Sequence, residues 1–173
     1  MSNRLGIAIA IAFLVVVLTA LSVWVLRDVV KNVEASVEID GVDTSTAAVA
    51  PFAGLTEANV SVDGDCKRVA VADSLAERQE GLRGATDLTP YDGMLFVFAS
   101  DSDSHFTMAD TLVPLDIGWY SANGLPVDRT TMQPCPEGDD ATCPDYGATS
   151  KYRYALETPA GQLGGGSLSG CSS

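Results

Sequence analysis

The stretch between Asp92 and Tyr120 holds two apolar runs, each too short for a buried helix, and they restrict this chain to a fold built on strands. Residues 94–99 (MLFVFA) read as a strand buried on both faces. Residues 100–104 (SDSDS) are polar and can turn. A second run begins at Phe106 and, after Pro114, resumes over residues 115–120 (LDIGWY). Around these runs, Val60 and Val62, then Val69 and Val71, alternate as half-buried strands do, with Gly64-Asp65 as the hairpin signal. Ser74 is an N-cap and Glu77 completes a capping box, so the pattern predicts one helix over residues 75–82, closed by Gly81 or Gly84. Asn123-Gly124 is a strong turn signal that returns residues 125–132 against residues 117–120. Residues 133–149 are a Pro, Gly, Cys and Asp loop. Residues 152–158 (YRYALET) form another strand, and Leu163 and Leu168 of the Gly/Ser-rich end pack down on the rest. About seven strands with turns between them imply a mainly β domain, a small antiparallel sandwich or barrel with its one short helix over an open end.

Ahead of this domain, residues 5–26 carry no charged side chain and lie between Arg4 and Arg27. As a helix the run reaches roughly 33 Å, enough for a bilayer core of about 30 Å. Ala20-Leu21-Ser22 has the spacing of a signal-peptide cleavage site, but residues 23–26 (VWVL) carry the apolar run past it, as an anchor would. Three segments are expected: a transmembrane signal anchor over 1–31, a flexible tether over 32–58 and an extracytoplasmic β domain over 59–173. Lys and Arg flank both ends of the helix and do not orient it. The four cysteines all follow it, an even number in a small domain, which suits disulfides and an oxidising exterior. The expected location is the cell membrane, single-pass, with the N-terminus inside, the domain outside and the lipid bilayer contacted through residues 5–26.

Beyond residue 31 the chain carries seven Lys or Arg against twenty-two Asp or Glu. An excess of fifteen negative charges argues against nucleic acid, which needs a basic surface to displace counterions, and no nucleic-acid partner is expected. It also argues against docking on anionic headgroups. Asp outnumbers Glu and Arg outnumbers Lys, a solvated acidic surface that suits either a high-salt habitat or an ordinary acidic secreted protein.

Cys135 and Cys143 bracket a loop with almost no apolar side chain, and a disulfide would staple it. A metal site or a redox pair would normally show Cys-x-x-Cys spacing, which is absent. By elimination Cys66 and Cys171 pair across the two ends of the domain, one of three connectivities that four cysteines allow. Neither a metal centre nor a cofactor is expected.

Five fragments, ERQEGL (77–82), DGMLFVF (92–98), FTMADTLVPLDIGWY (106–120), the Cys135/Cys143 pair and YALETPAG (154–161), stand in an order that resembles the domain of unknown function 192 family, over about residues 60 to 168. The resemblance implies a mainly β, sandwich-like fold with a short helix, and no established reaction. The family's Gly-Leu-Met-Phe-Arg becomes Gly81-Leu82-Arg83-Gly84 here, and its Phe-Trp-Met-Lys-Asn-Thr becomes residues 106–111, FTMADT. Arg78, Met108, Thr111 and Asp116 keep the pattern, and they are the ligand-binding candidates.

Asp116 sits in the apolar setting Pro114-Leu115-Asp116-Ile117. It is read either as a binding or acid/base group or as a structural carboxylate that holds loop amides or an arginine such as Arg78. His105, the one histidine, follows Asp101 and Asp103 and reads as a solvated loop residue or a weak cation ligand. No nucleophile, base and orienter set is visible, so the catalytic list is empty. The leading reading is a binding or interaction module whose partner is an unknown envelope protein or a small ligand. The alternatives are a hydrolase or carbohydrate-active enzyme using Asp116 with Asp110 or Glu157, and a structural module of an envelope assembly.

Overall fold

The structure is a computed structural model that describes Ile39 and residues 42–135 and 141–172. The expected anchor lies outside these residues, and among the described residues no helix is long and apolar enough to cross a membrane.

The elements run β1 (Thr46–Ala47), β2 (Thr56–Val62), β3 (Asp65–Ala72), α1 (Leu75–Glu80), β4 (Gly93–Ser102), β5 (Phe106–Thr107), β6 (Leu115–Tyr120), β7 (Pro126–Met132), β8 (Asp145–Tyr146), β9 (Tyr152–Pro159) and β10 (Leu168–Gly170). Eight of the ten strands make one sheet in the order β1-β2-β3-β4-β9-β6-β7, with β10 on the same edge of β2 as β1. β5 and β8 pair apart from it. The expected antiparallel sandwich or barrel is therefore corrected to a mixed sheet. β3 and β4 run parallel, Val69 opposite Gly93 and Ala72 opposite Phe96. Parallel neighbours need a crossover of a dozen or more residues, and α1 with the loop after it supplies that length. The helix lies over a face of the sheet, not over an end.

The strand pattern is two-sided. Along β3, Val69 and Val71 belong to one core and Ala70 and Ala72 to the other. On β4, Leu95 joins the first and Met94 and Phe96 the second. The first core gathers Val60, Val62, Tyr154, Leu156, Leu163 and Leu168. Around it the sheet curls, so that Leu168 N, on β10, donates to Gly124 O in the β6–β7 turn at 2.8 Å. A Cβ at Gly124 would stand 2.0 Å from Leu168 O, so no other residue fits there. The second core, on the outer face, is covered by Leu82, Leu88, Tyr91 and Met108 from the connecting segments.

Two expectations change in detail. The β2–β3 turn is Asp63-Gly64, one residue earlier than expected, with φ of 58° and 80°. Positive φ at both central residues is what a two-residue hairpin requires, and Asp-Gly supplies it. The described part of the expected tether is packed. Ile39, Val42, Ala48 and Ala58 are buried, and β1 pairs with β2. The segment is held where Tyr91 Oη accepts from Val49 N at 2.7 Å and donates to Glu57, itself bridged to Arg68 at 2.6 Å. Those partners lie far apart in the sequence, so low local periodicity did not mean disorder.

Both expected disulfides form, Cys66–Cys171 and Cys135–Cys143, with sequence separations of 105 and 8. The chain-entropy relation assigns about 5 kcal/mol to the long closure and about half of that to the short one. Replacing Cys66 and Cys171 together by Ala should lower the urea midpoint more than replacing Cys135 and Cys143; the reverse order would show that the short loop carries the greater constraint.

Candidate functional site

Local sequence fixes α1 over the outer core. Ser74 Oγ accepts from Glu77 N at 3.3 Å and Glu77 Oε2 accepts from Ser74 N at 2.9 Å, the reciprocal pair of a capping box. Gly81, at φ 53°, ends the helix, and a Cβ there would stand 3.5 Å from the Phe96 ring. Two arginines tie the helix down. Arg78 Nη1 donates to Val97 O at 2.8 Å and to Asp73 O, and its guanidinium lies 4.8 Å over the Phe98 ring. Arg83 Nη1 donates to Ala109 O at 3.1 Å and stands 3.6 Å from the Asp110 carboxylate.

Between the end of α1 and the sheet lies a cavity of about 300 Å³. Its wall includes Arg78, Arg83, Phe96, Phe106, Thr111 and, from β9, Glu157. Glu157 is only 4 % exposed. On β9 it stands opposite Met94 of β4 and Ile117 of β6, both core residues. Among the described residues nothing hydrogen-bonds or ion-pairs with its side chain. Burial pushes its carboxyl up from the usual range to about 8. At neutral pH it is therefore mostly a protonated acid, with an O–H donor and no protein acceptor.

The rim on the other side is the β5–β8 pair, Phe106 opposite Tyr146 and Thr107 opposite Asp145. His105, which also lines the cavity, places Nδ1 2.5 Å from Asp145 Oδ2. The Cys135–Cys143 disulfide closes the segment leading into β8. His105 is thus no free loop residue, and its partner 40 positions away could not be read from neighbouring sequence.

Of the four sequence candidates, Arg78 and Thr111 line the cavity. Met108 is buried in the outer core at 1 % exposure. Asp116 is elsewhere. It accepts from Thr131 Oγ1 and from Gly161 N, each at 2.6 Å, and so ties β7 and the turn after β9 to β6. Its neighbour Ile117 points into the outer core, so Asp116 and Glu157 lie on opposite faces of the sheet. They do not form a facing carboxylate pair. Asp110 is in an exposed turn at φ 56°, joined to Arg83. Among the described residues no cluster of His, Cys, Asp or Glu could hold a metal ion.

The fold and cavity together define a small β domain with a curled mixed sheet and a pocket beneath α1. The chain belongs to the DUF192 family, described as "Uncharacterized ACR", whose model matches residues 58–168. Two solved structures are similar. One is a protein of unknown function from Novosphingobium aromaticivorans, 24 % identical, covering 68 % of this chain and 83 % of that one at a TM-score of 0.56. The other is a candidate transcription regulator from Sinorhizobium meliloti, 22 % identical, covering 67 % and 95 % at a TM-score of 0.56. At these identities the likeness concerns the fold. No curated protein matches the chain significantly.

Glu157 gives a pH dependence with a definite sign. Its folded-state value lies above the unfolded one, so the folded protein holds this proton more tightly. Stability falls as pH rises from about 4.5 to about 8 and levels off beyond, because the buried carboxyl must then ionise. In thermal melts across that range, wild type minus Glu157→Gln should show this fall; parallel curves would place the carboxyl in contact with water. Asp116→Ala should cost about 1–3 kcal/mol, by leaving the Gly161 amide and Thr131 hydroxyl without their acceptor. Urea unfolding reads it, and a smaller change would mean that solvent replaces the carboxylate.

Proposed function

We propose that this chain is a membrane-anchored extracytoplasmic module that binds a small ligand in the cavity beneath α1. The observation that carries the reading is Glu157, a buried carboxyl without a protein partner at the wall of a cavity. An apolar residue at that position would avoid the desolvation cost, so the carboxyl lowers stability unless something binds it. Phe96, Phe106 and Leu82 offer apolar surface on the wall it shares, which is otherwise polar and charged. The two disulfides support an oxidising compartment, and the uncharged run over residues 5–26 supports an anchor that leaves the domain outside. The negative excess of the outer part argues against nucleic acid as the partner.

Native mass spectrometry of the full chain taken from its own membrane tests this. The wild type should retain a small-molecule adduct. Glu157→Leu should melt higher and lose that adduct, because it fills the same place without a buried polar group. An adduct retained equally by Glu157→Leu, or none on the wild type, would overturn the reading.

A further inference from the structure

The binding role proposed above leaves the chemistry of the ligand open, and the state of Glu157 narrows it. Among the described residues, Trp119 Nε1 is the one fully enclosed side-chain polar atom without a hydrogen-bond partner. The Glu157 carboxyl also lacks a partner among those residues, yet its oxygens are not enclosed in that way, so they open onto the cavity they line. The residues in register with it, Met94 on β4 and Ile117 on β6, are apolar. The charged and titratable groups elsewhere on the wall are Arg78, Glu80 and Arg83 from α1 and the turn after it, and His105 from the segment entering β5. Arg78 is bound to Asp73 O and Val97 O, Arg83 to Ala109 O beside Asp110, and His105 to Asp145. None of these groups pairs with Glu157, and burial alone pushes its carboxyl up to about 8. The carboxyl is therefore neutral at pH 7, and no fixed charge acts on it that could offset one brought in by a ligand.

We infer that the cavity takes a small uncharged molecule bearing a primary amide or a lactam, whose carbonyl accepts from the Glu157 O–H while its N–H donates to the other Glu157 oxygen. The inference rests on the binding role. A protonated carboxyl carries one donor and one acceptor side by side. An amide presents the complementary pair in one plane, so a single contact satisfies both Glu157 oxygens and leaves no polar atom unpaired. An anion would bring a charge that no cation bonded to Glu157 balances, into a domain already strongly negative. An ammonium would drive Glu157 into its charged form and strip water from two ions at once. Only further hydrogen bonds to the carboxylate could offset that cost, and among the described residues there are none. Phe96, Phe106 and Leu82 take the apolar remainder of the molecule. A cavity of about 300 Å³ is at the small end of ligand pockets, which keeps the molecule compact.

The test titrates the full chain in detergent with butyramide and 2-pyrrolidinone, and in parallel with sodium butyrate, butylammonium chloride and 1-butanol at equal ionic strength. Thermal shift and calorimetry are read at pH 7 and pH 9. At least one amide should raise the melting temperature and bind more tightly than the acid, the amine and the alcohol. Its affinity should be about tenfold weaker at pH 9 than at pH 7, because only the protonated Glu157 can donate to it. Glu157→Gln keeps a donor and an acceptor and cannot ionise, so it should bind the amide equally at both pH values. Glu157→Leu should fold and lose the amide. His105→Gln should keep the pH dependence, which separates Glu157 from the other group titrating near this range. Equal affinity of the wild type at both pH values, or loss of the pH dependence in His105→Gln, would overturn the inference. So would tighter binding of butyrate, butanol or butylammonium, or failure of both amides on a wild type that retains its native adduct. Those outcomes leave the binding role standing. Absence of both an adduct and any probe binding would remove the role and the inference together.

Discussion

β9 has a neighbouring strand on each edge and a core on each face, and the rest of the structure depends on that position. A strand so placed has no solvated side on which to keep a polar residue. Tyr154 and Leu156 fill the inner core, and Ala155 lies on the outer face, as the arrangement demands. Thr158 and Glu157 are its buried polar residues, and of the two only Glu157 is ionisable. It stands on the outer face, in register with Met94 and Ile117, where burial shifts it toward its neutral form. The cavity under α1 lies where this central strand carries a buried carboxyl.

The two cores explain the connectivity. The hairpin β2–β3 is local, but β4 must come back parallel to β3, and only a crossover allows this. α1 is too short to bury a face of its own; none of its residues is buried. It is held by its cap and by Arg78, and Gly81 at its end lies in van der Waals reach of Phe96. A short helix fixed at its ends leaves space beneath it, where a longer amphipathic helix would fill the sheet face with side chains. The cavity follows from that economy of contact. At the far edge, β10 is a short strand joined to β2 by three paired residues and to β3 by the Cys66–Cys171 bond.

Much of the local structure was legible. Residues 94–99, 115–120 and 152–158 are strands as their apolar patterns required, and the capping box at Ser74 and Glu77 is present. Both disulfides follow from four cysteines and one uncrosslinked loop. The parallel pairing was not legible, because alternation sets which face a residue takes and says nothing of strand direction. β1, β5 and β8 are two residues each, too short to show a period. The site was half legible. Arg78 and Thr111 were singled out and line the cavity, whereas Asp116, from the same fragment as Thr111, lies on the other face. Glu157 did leave a trace: an acidic residue directly after Ala155-Leu156 in a strand whose neighbours are apolar.

The sequence by itself determined the strands, the helix with its cap, the compartment-dependent crosslinks and the acidic surface, because each rests on contacts within a few residues or on counting charges and thiols. Only the tertiary structure decided which carboxylate faces the cavity. Asp116 and Glu157 both sit in apolar contexts, on adjacent strands, and nothing local separates them. Asp116 meets the Gly161 amide and the Thr131 hydroxyl; Glu157 meets a cavity and no partner. The free energy of a buried charge is set by what surrounds it in space, and those surroundings exist only once β9 is enclosed by both cores.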